Sequence, residues 1–264
     1  MNKTLSSVHP EAKIAKDVTI ASFVTIAKDV VIGEGTWIGP NVTIMDGARI
    51  GRNCKIFPGA VISTIPQDLK YQGEETYAIL GDNVIVREFA TINKGTKANN
   101  ETVIGNDTLI MAYAHIAHDC LIGKHCILAN AVTLAGHIKI EDWAILGGLA
   151  AVHQFVNIGQ HSMISGGALV RKDVPPYTKA AREPLSFVGI NSVGLRRRGF
   201  SSEKIKEIQE IYRILYMKKM NVSQAAAYLE AEYPATDERD EILSFINNSK
   251  RGIMKGYSGN GAER

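Results

Sequence analysis

A repeat of six residues constrains this chain more than any other feature. From Val8 an aliphatic residue recurs at Ile14, Ile20, Ile26, Ile32, Ile38, Ile44, Ile50, Ile56 and Ile62, and the register resumes at Leu80, Val86 and Ile92. It then runs unbroken from Ile104 through Ile110, Ile116, Ile122, Leu128, Leu134, Ile140, Leu146, Val152, Ile158 and Ile164 to Val170. Six is neither the 3.6 of an amphipathic helix nor the simple alternation of a strand, so the chain must turn between hexads. Glycine follows the aliphatic residue at Gly33, Gly39, Gly51, Gly105 and Gly123, which places the bend there. Each hexad is then a short strand plus a corner. Three of them close a coil of about 18 residues, and stacked coils pair as parallel strands ~4.8 Å apart with the aliphatic residues inside.

The expected fold is mainly β: a parallel β-helix of hexapeptide repeats over residues 1–185, followed by an α-helical domain over 186–264. Two stretches break the register, Ser63 to about Ile79 and Gly95 to about Val103, and are expected as external loops near 63–79 and 95–103. The prolines of Asp173–Tyr177 stop the repeat. Beyond them Ser201 or Ser202 is expected to cap a helix carrying Ile205, Ile208, Ile211, Tyr212 and Leu215. Ser223 is expected to cap a second helix through Tyr233 and Thr236 a third reaching Asn248, with a frayed tail from Tyr257.

Composition closes off several classes of function. A net charge of +3 with 22% charged residues is too mild for a dedicated nucleic-acid binder. Residues 196–264 hold 13 Lys and Arg against 10 Asp and Glu, so the positive excess lies in the helical part. Cys54, Cys120 and Cys126 are odd in number and lack CxxC spacing, which argues against disulfides and a cysteine zinc site. The N-terminal segment has no apolar core and no run nears the ~18 apolar residues of a membrane span, so a cytoplasmic protein without a membrane span is expected.

Winding gathers the histidines. Hexads 18 residues apart share a face, so His115, His118, His137 and His153 fall on one side of the coil, whereas His125 and His161 belong to another. A neutral imidazole can take a proton near neutral pH, and three imidazoles can equally hold zinc. At this point the chemistry stays open between a histidine base and a hexapeptide-repeat zinc enzyme of the carbonic anhydrase type.

The segments IPQDLKY (Ile65 to Tyr71), AHIAHDC (Ala114 to Cys120), LAGH (Leu134 to His137), AVHQF (Ala151 to Phe155) and RRGFS (Arg197 to Ser201) narrow the choice. Together, and in this order, the chain resembles the UDP-N-acetylglucosamine acyltransferases that begin lipid A synthesis. The resemblance implies left-handed coils, contrary to the usual crossover rule. It also implies transfer of a 3-hydroxyacyl chain from acyl carrier protein to the 3-hydroxyl of UDP-N-acetylglucosamine, with no cofactor, in a homotrimer whose sites lie between adjacent β-helices. The family's catalytic base matches His118, with Asp119 or a backbone carbonyl to orient it, and its oxyanion-binding glycine matches Gly136. Residues lining the substrate match Asp68, Lys70, His115, His137, His153 and Gln154, and those contacting nucleotide or carrier protein match Asn191, Arg197 and Arg198. Gly166 matches the position that sets acyl length, where glycine leaves room for a chain of more than about ten carbons. One departure stands out: Val193 replaces the family's usual acidic residue two positions after Asn191. The pathway's later N-acyltransferase carries an extra N-terminal domain, whereas here the hexads start at Val8.

Overall fold

In the computed structural model, which describes residues 5–217 and 220–256, the hexads wind into a left-handed parallel β-helix of three sheets. The first face stacks nine strands from Ser7–Val8 through His115–Ile116, Thr133–Leu134 and Ala151–Val152 to Leu169–Val170. The second stacks eight, from Lys13–Ile14 to Asn157–Ile158, and the third eleven, beginning at Thr19–Ile20. Within the repeat, partners are mostly 18 residues apart, as in His115 with Thr133 and Ile116 with Leu134. The two register breaks loop out between Thr64 and Tyr77 and between Asn93 and Glu101, each shorter than the sequence suggests because the flanking strands extend into them.

Every repeat aliphatic from Ile26 to Val170 is at most 3% exposed. Burial of each contributes roughly 1.5–3 kcal/mol against the chain entropy of winding. Two residues before each sits a second inward position, filled mostly by smaller side chains, including Val42, Ala60, Ala90 and all three cysteines. The cysteines are therefore core filler, and burial pushes the Cys120 thiol up to about 12, out of range for a nucleophile at neutral pH.

The bend does not fall where the glycines suggested. The residue in the left-handed backbone region lies three positions after the aliphatic one, as at Asn83, Asp107, Tyr113, Asp119, His125, His137, Trp143 and His161, with φ between 55° and 63°. Gly33 and Gly105 serve close stacking instead: a Cβ on either would lie 2.8 Å or less from the carbonyl of the corner above, at Gly51 and Gly123 respectively. Because corners stack like strands, left-handed residues form vertical columns, among them Asp119, His137 and Phe155.

The third sheet continues past the repeat. Thr178–Ala181 pairs in parallel with Met163–Ile164, then Ser186–Ile190 pairs antiparallel with Thr178–Ala181, and Lys255–Gly256 adds the last strand. Residue 186 thus begins a strand before the helices α1 (Ser192–Arg197), α2 (Ser202–Met217), α3 (Val222–Glu232) and α4 (Asp237–Asn248). Helix α1 had no counterpart in the sequence pattern. Helix α3 is capped by Asn221 rather than Ser223: the Asn221 side chain accepts from the Gln224 N–H while Gln224 returns a bond to the Asn221 N–H. Thr236 caps α4 as expected. The expected frayed tail from Tyr257 lies outside the described residues.

Candidate active site

His118 leaves the strand His115–Ile116 at the corner between the first and second faces. Consecutive side chains on a strand point apart, but the left-handed backbone at Asp119 (φ 60°) brings its carboxylate beside the preceding ring. His118 Nδ1 lies 2.7 Å from Oδ2 of the buried Asp119. An ionised carboxylate only accepts, so Nδ1 carries the hydrogen and Nε2 keeps a free lone pair. Burial pushes the Asp119 carboxyl up, but bonds from His118 and from the N–H and hydroxyl of Thr96 outweigh it and hold the group below the usual carboxylate range.

Gly136, 18 residues on, stacks directly over this ring. A Cβ there would lie 2.6 Å from His118 Cε1 and 2.7 Å from Nε2, so the ring occupies the space a side chain would fill. His137 stands perpendicular to His118 with ring centroids 5.0 Å apart, and the Phe155 ring stacks on its other side at 4.7 Å. Burial drives the His137 pKa down, and the charges of Asp119 and Asp68 only partly offset this. Asp68, on the loop between Thr64 and Tyr77, exerts the smallest of these influences on the ring. Asp68 Oδ1 accepts from the Lys70 N–H at 3.0 Å, and the Lys70 side chain is exposed.

His115, on the first face, has its Nδ1 2.7 Å from Thr91 Oγ1, and burial lowers its pKa. His153 and Gln154 are exposed one coil above Gly136, with His153 Nδ1 3.1 Å from the Gln154 carbonyl. The four histidines share one side, but only His118 and His137 meet as rings. His118, Asp119 and His137 bring possible ligand atoms within 4.8 Å of one another, but His118 Nδ1 and Asp119 Oδ2 are engaged with each other at 2.7 Å, and His115 and His153 turn their Nδ1 atoms to Thr91 and the Gln154 carbonyl.

Asn191, Arg197 and Arg198 lie elsewhere, at the corner between the second and third faces. Arg198 Nη1 lies 3.3 Å from His161 Nδ1, and its guanidinium covers the Trp143 ring at 5.2 Å. Burial, with the Arg198 charge behind it, pushes the His161 pKa down to about 4. Asn191 is buried and its amide is occupied: Nδ2 donates to the His161 carbonyl, and Oδ1 accepts from Gly194 N–H as the cap of α1. Arg197 and Val193 are exposed. Gly166 is exposed at the remaining corner, between the third and first faces, ~14 Å or three coils up from the coil of His118. The single chain therefore spreads the residues named from the sequence over three corners. A recess of about 590 Å³ on the second face, between Lys139 and Glu241, touches none of them.

The residues missed by sequence reasoning are those holding Asp119. Thr96 and Asn99 reach it from the loop between Asn93 and Glu101. Its Thr- and Asn-rich composition signals hydrogen-bonding turns, but nothing local tells which carboxylate 23 residues away receives them.

Comparison with known proteins addresses the whole chain. The hexapeptide-repeat model of bacterial transferases matches residues 29–64 and 101–136, and the second-domain model of UDP-N-acetylglucosamine O-acyltransferase matches 173–254. A relative from Xylella fastidiosa, named acyl-(acyl-carrier-protein)–UDP-N-acetylglucosamine O-acyltransferase, is 45% identical over 263 residues, covering 97% of this chain and all of that one. A UDP-N-acetylglucosamine acyltransferase structure from Bacteroides fragilis matches with TM-score 0.94 at 50% identity, covering 97% of this chain and 100% of that one. The enzyme from Francisella novicida matches at 0.93 and 42%, covering 97% and 94%. Agreement at this level reaches through the repeat, both external loops and the helices alike, and the chain belongs to the UDP-N-acetylglucosamine O-acyltransferase family.

Proposed function

We propose that the protein transfers a 3-hydroxyacyl chain from the thioester of acyl carrier protein to the 3-hydroxyl of UDP-N-acetylglucosamine, with His118 as general base. The observation that carries this reading is the 2.7 Å bond from His118 Nδ1 to Asp119, which leaves Nε2 free beside a residue without a side chain. Nε2 takes the hydroxyl proton as the sugar oxygen attacks the thioester carbonyl, and Asp119 stabilises the imidazolium that forms. In this reading the Gly136 N–H, the family's matching oxyanion donor, donates to the tetrahedral oxyanion. The carbon–sulfur bond then breaks with its electron pair going to sulfur, and the proton on His118 passes to the departing thiolate to give the free thiol of the carrier protein. In this reading His137, with Asp68, Lys70, His115, His153 and Gln154, lines the approach of the sugar and acyl groups.

The three corners are reunited in a homotrimer. A neighbouring copy that sets its Arg198 corner against the His118 corner supplies the pyrophosphate with guanidinium groups from Arg197 and Arg198, whose planar fork suits phosphate. Asn191 contributes by fixing the turn into α1, and exposed Val193 leaves the acidic contact unmade. The acyl chain lies in the groove toward Gly166. The net-positive helical segment attracts acidic carrier protein, an encounter that salt weakens. A cytoplasmic location accords with these soluble substrates; among the described residues no helix is long and apolar enough to cross a membrane. The test is an assay of the purified protein with UDP-N-acetylglucosamine and 3-hydroxyacyl carrier protein: transfer by wild type and its loss in His118→Ala support the reading, and near-normal turnover in the variant removes His118 as base.

A further inference from the structure

We propose that Thr96 is a positioning residue for this reaction, a role that rests on the acyltransferase reading: by donating from both its N–H and its hydroxyl to Asp119, it fixes the carboxylate that aims His118. The hydroxyl lies 2.7 Å from Asp119 Oδ2, the same oxygen that receives His118 Nδ1. Because Thr96 Oγ1 also accepts from the Ala98 N–H at 3.2 Å, its own proton is directed at the carboxylate. The Thr96 N–H at 2.9 Å and the Asn99 N–H at 3.3 Å fill Oδ1. Asn99 Nδ2 further donates to the Asp119 carbonyl, and Thr102 Oγ1 accepts from the Asp119 N–H.

The loop is shaped for this purpose. The Asn100 N–H closes a turn on the Thr96 carbonyl at 2.7 Å, and Gly95 packs so tightly that a Cβ would lie 2.3 Å from the Glu101 nitrogen. The Lys97 N–H bonds Glu74 Oε1 at 3.3 Å, bracing the clamp against the loop that carries Asp68 and Lys70. The clamp also settles a competition. His137 Nε2 lies 3.8 Å from Asp119 Oδ2, so a carboxylate released from Thr96 has a second imidazole within a small rotation. A carboxylate shared with His137 no longer holds His118 in one tautomer and one orientation.

The experiment is a double-mutant cycle on steady-state acyl transfer. Thr96→Val keeps the N–H and the volume but removes the hydroxyl donor. It is expected to lower kcat roughly tenfold or more with KM for UDP-N-acetylglucosamine changed less than about twofold, since a charge-assisted bond is lost away from the substrate. Thr96→Ser restores most of the rate, and Thr96→Val adds no further loss in an Asp119→Asn background. A Thr96→Val rate within about twofold of wild type, no rescue by serine, or an equal loss in both backgrounds overturns the role. Absence of transfer by wild type overturns the acyltransferase reading, and this role with it; that failure is told apart because it requires no variant.

Discussion

Replacing Gly136 by alanine adds one carbon at the most crowded point of the site. The new Cβ would stand 2.6 Å from His118 Cε1, whereas ordinary contact begins at 3.4 Å, so the ring must retreat by about 0.8 Å. It has little freedom to do so, pinned by the 2.7 Å bond to Asp119 and backed by His137. Either that bond stretches beyond useful length or the whole corner shifts. Misplacement of a reacting group by about 1 Å costs on the order of 100-fold in rate, or ~2.7 kcal/mol in the barrier. The backbone itself tolerates the change, because Gly136 is not among the glycines of positive φ. The stability loss therefore stays within the ~1–3 kcal/mol of local overpacking. Steady-state kinetics with both substrates, alongside thermal unfolding, separates the two effects. A folded Gly136→Ala protein with kcat within about threefold of wild type would refute the placement of the reacting proton on His118 Nε2.

At Gly166 an added Cβ meets nothing closer than the Gly148 carbonyl at 3.0 Å, so Gly166→Met folds and its side chain projects outward; the preferred acyl chain shortens by about three carbons, and an unchanged optimum across a chain-length series counts against the groove. Mixing inactive His118→Ala and Arg198→Ala chains, unfolded and reassembled together, regenerates about one quarter of wild-type activity if each site takes one corner from each of two neighbours, and none if a site belongs to one chain. His161 titrates near 6.5 when unfolded but about 4 when folded, so between those values the unfolded chain binds a proton the native one does not, and stability falls as pH falls. The loss amounts to roughly 2 kcal/mol by pH 4 after allowance for solvent screening, and His161→Gln flattens this slope in urea titrations at pH 7 and pH 4.5; an unchanged slope removes the buried neutral ring as its cause.

The coil was legible because its determinant is linear: the aliphatic residues from Ile26 to Val170 repeat every six positions, and one period fixes which side chains point inward and which stack. The same arithmetic brought His118 and His137 to one side, whereas Gly136 was named only through the family resemblance. Bend chemistry was less legible, since glycine after the aliphatic residue serves contact between coils while Asn, Asp, His and aromatic residues adopt the left-handed corner. Corner conformation is enforced by the ladder above and below, and residue type only modulates it. Asn191 shows a further limit. A motif identifies the residue but not that its amide is consumed in capping α1 and bonding the His161 carbonyl. Thr96 lay in an interruption of the repeat, where no period relates it to Asp119.

The two ends of the stack are unlike. At the lower end Val8 is 39% exposed and Ile14 and Ile20 are only half-buried, while the upper end finishes in the antiparallel pairing of Thr178–Ala181 with Ser186–Ile190 beneath the helices. In a solenoid each rung is held mainly by its neighbours, so thermal opening travels inward from whichever terminus is uncovered. Amide protons should accordingly exchange fastest in the lowest rungs, near Val8, and progressively more slowly with height, so that the rungs bearing His118 and Gly136, well up the stack, place the chemistry where breathing of the chain scarcely penetrates.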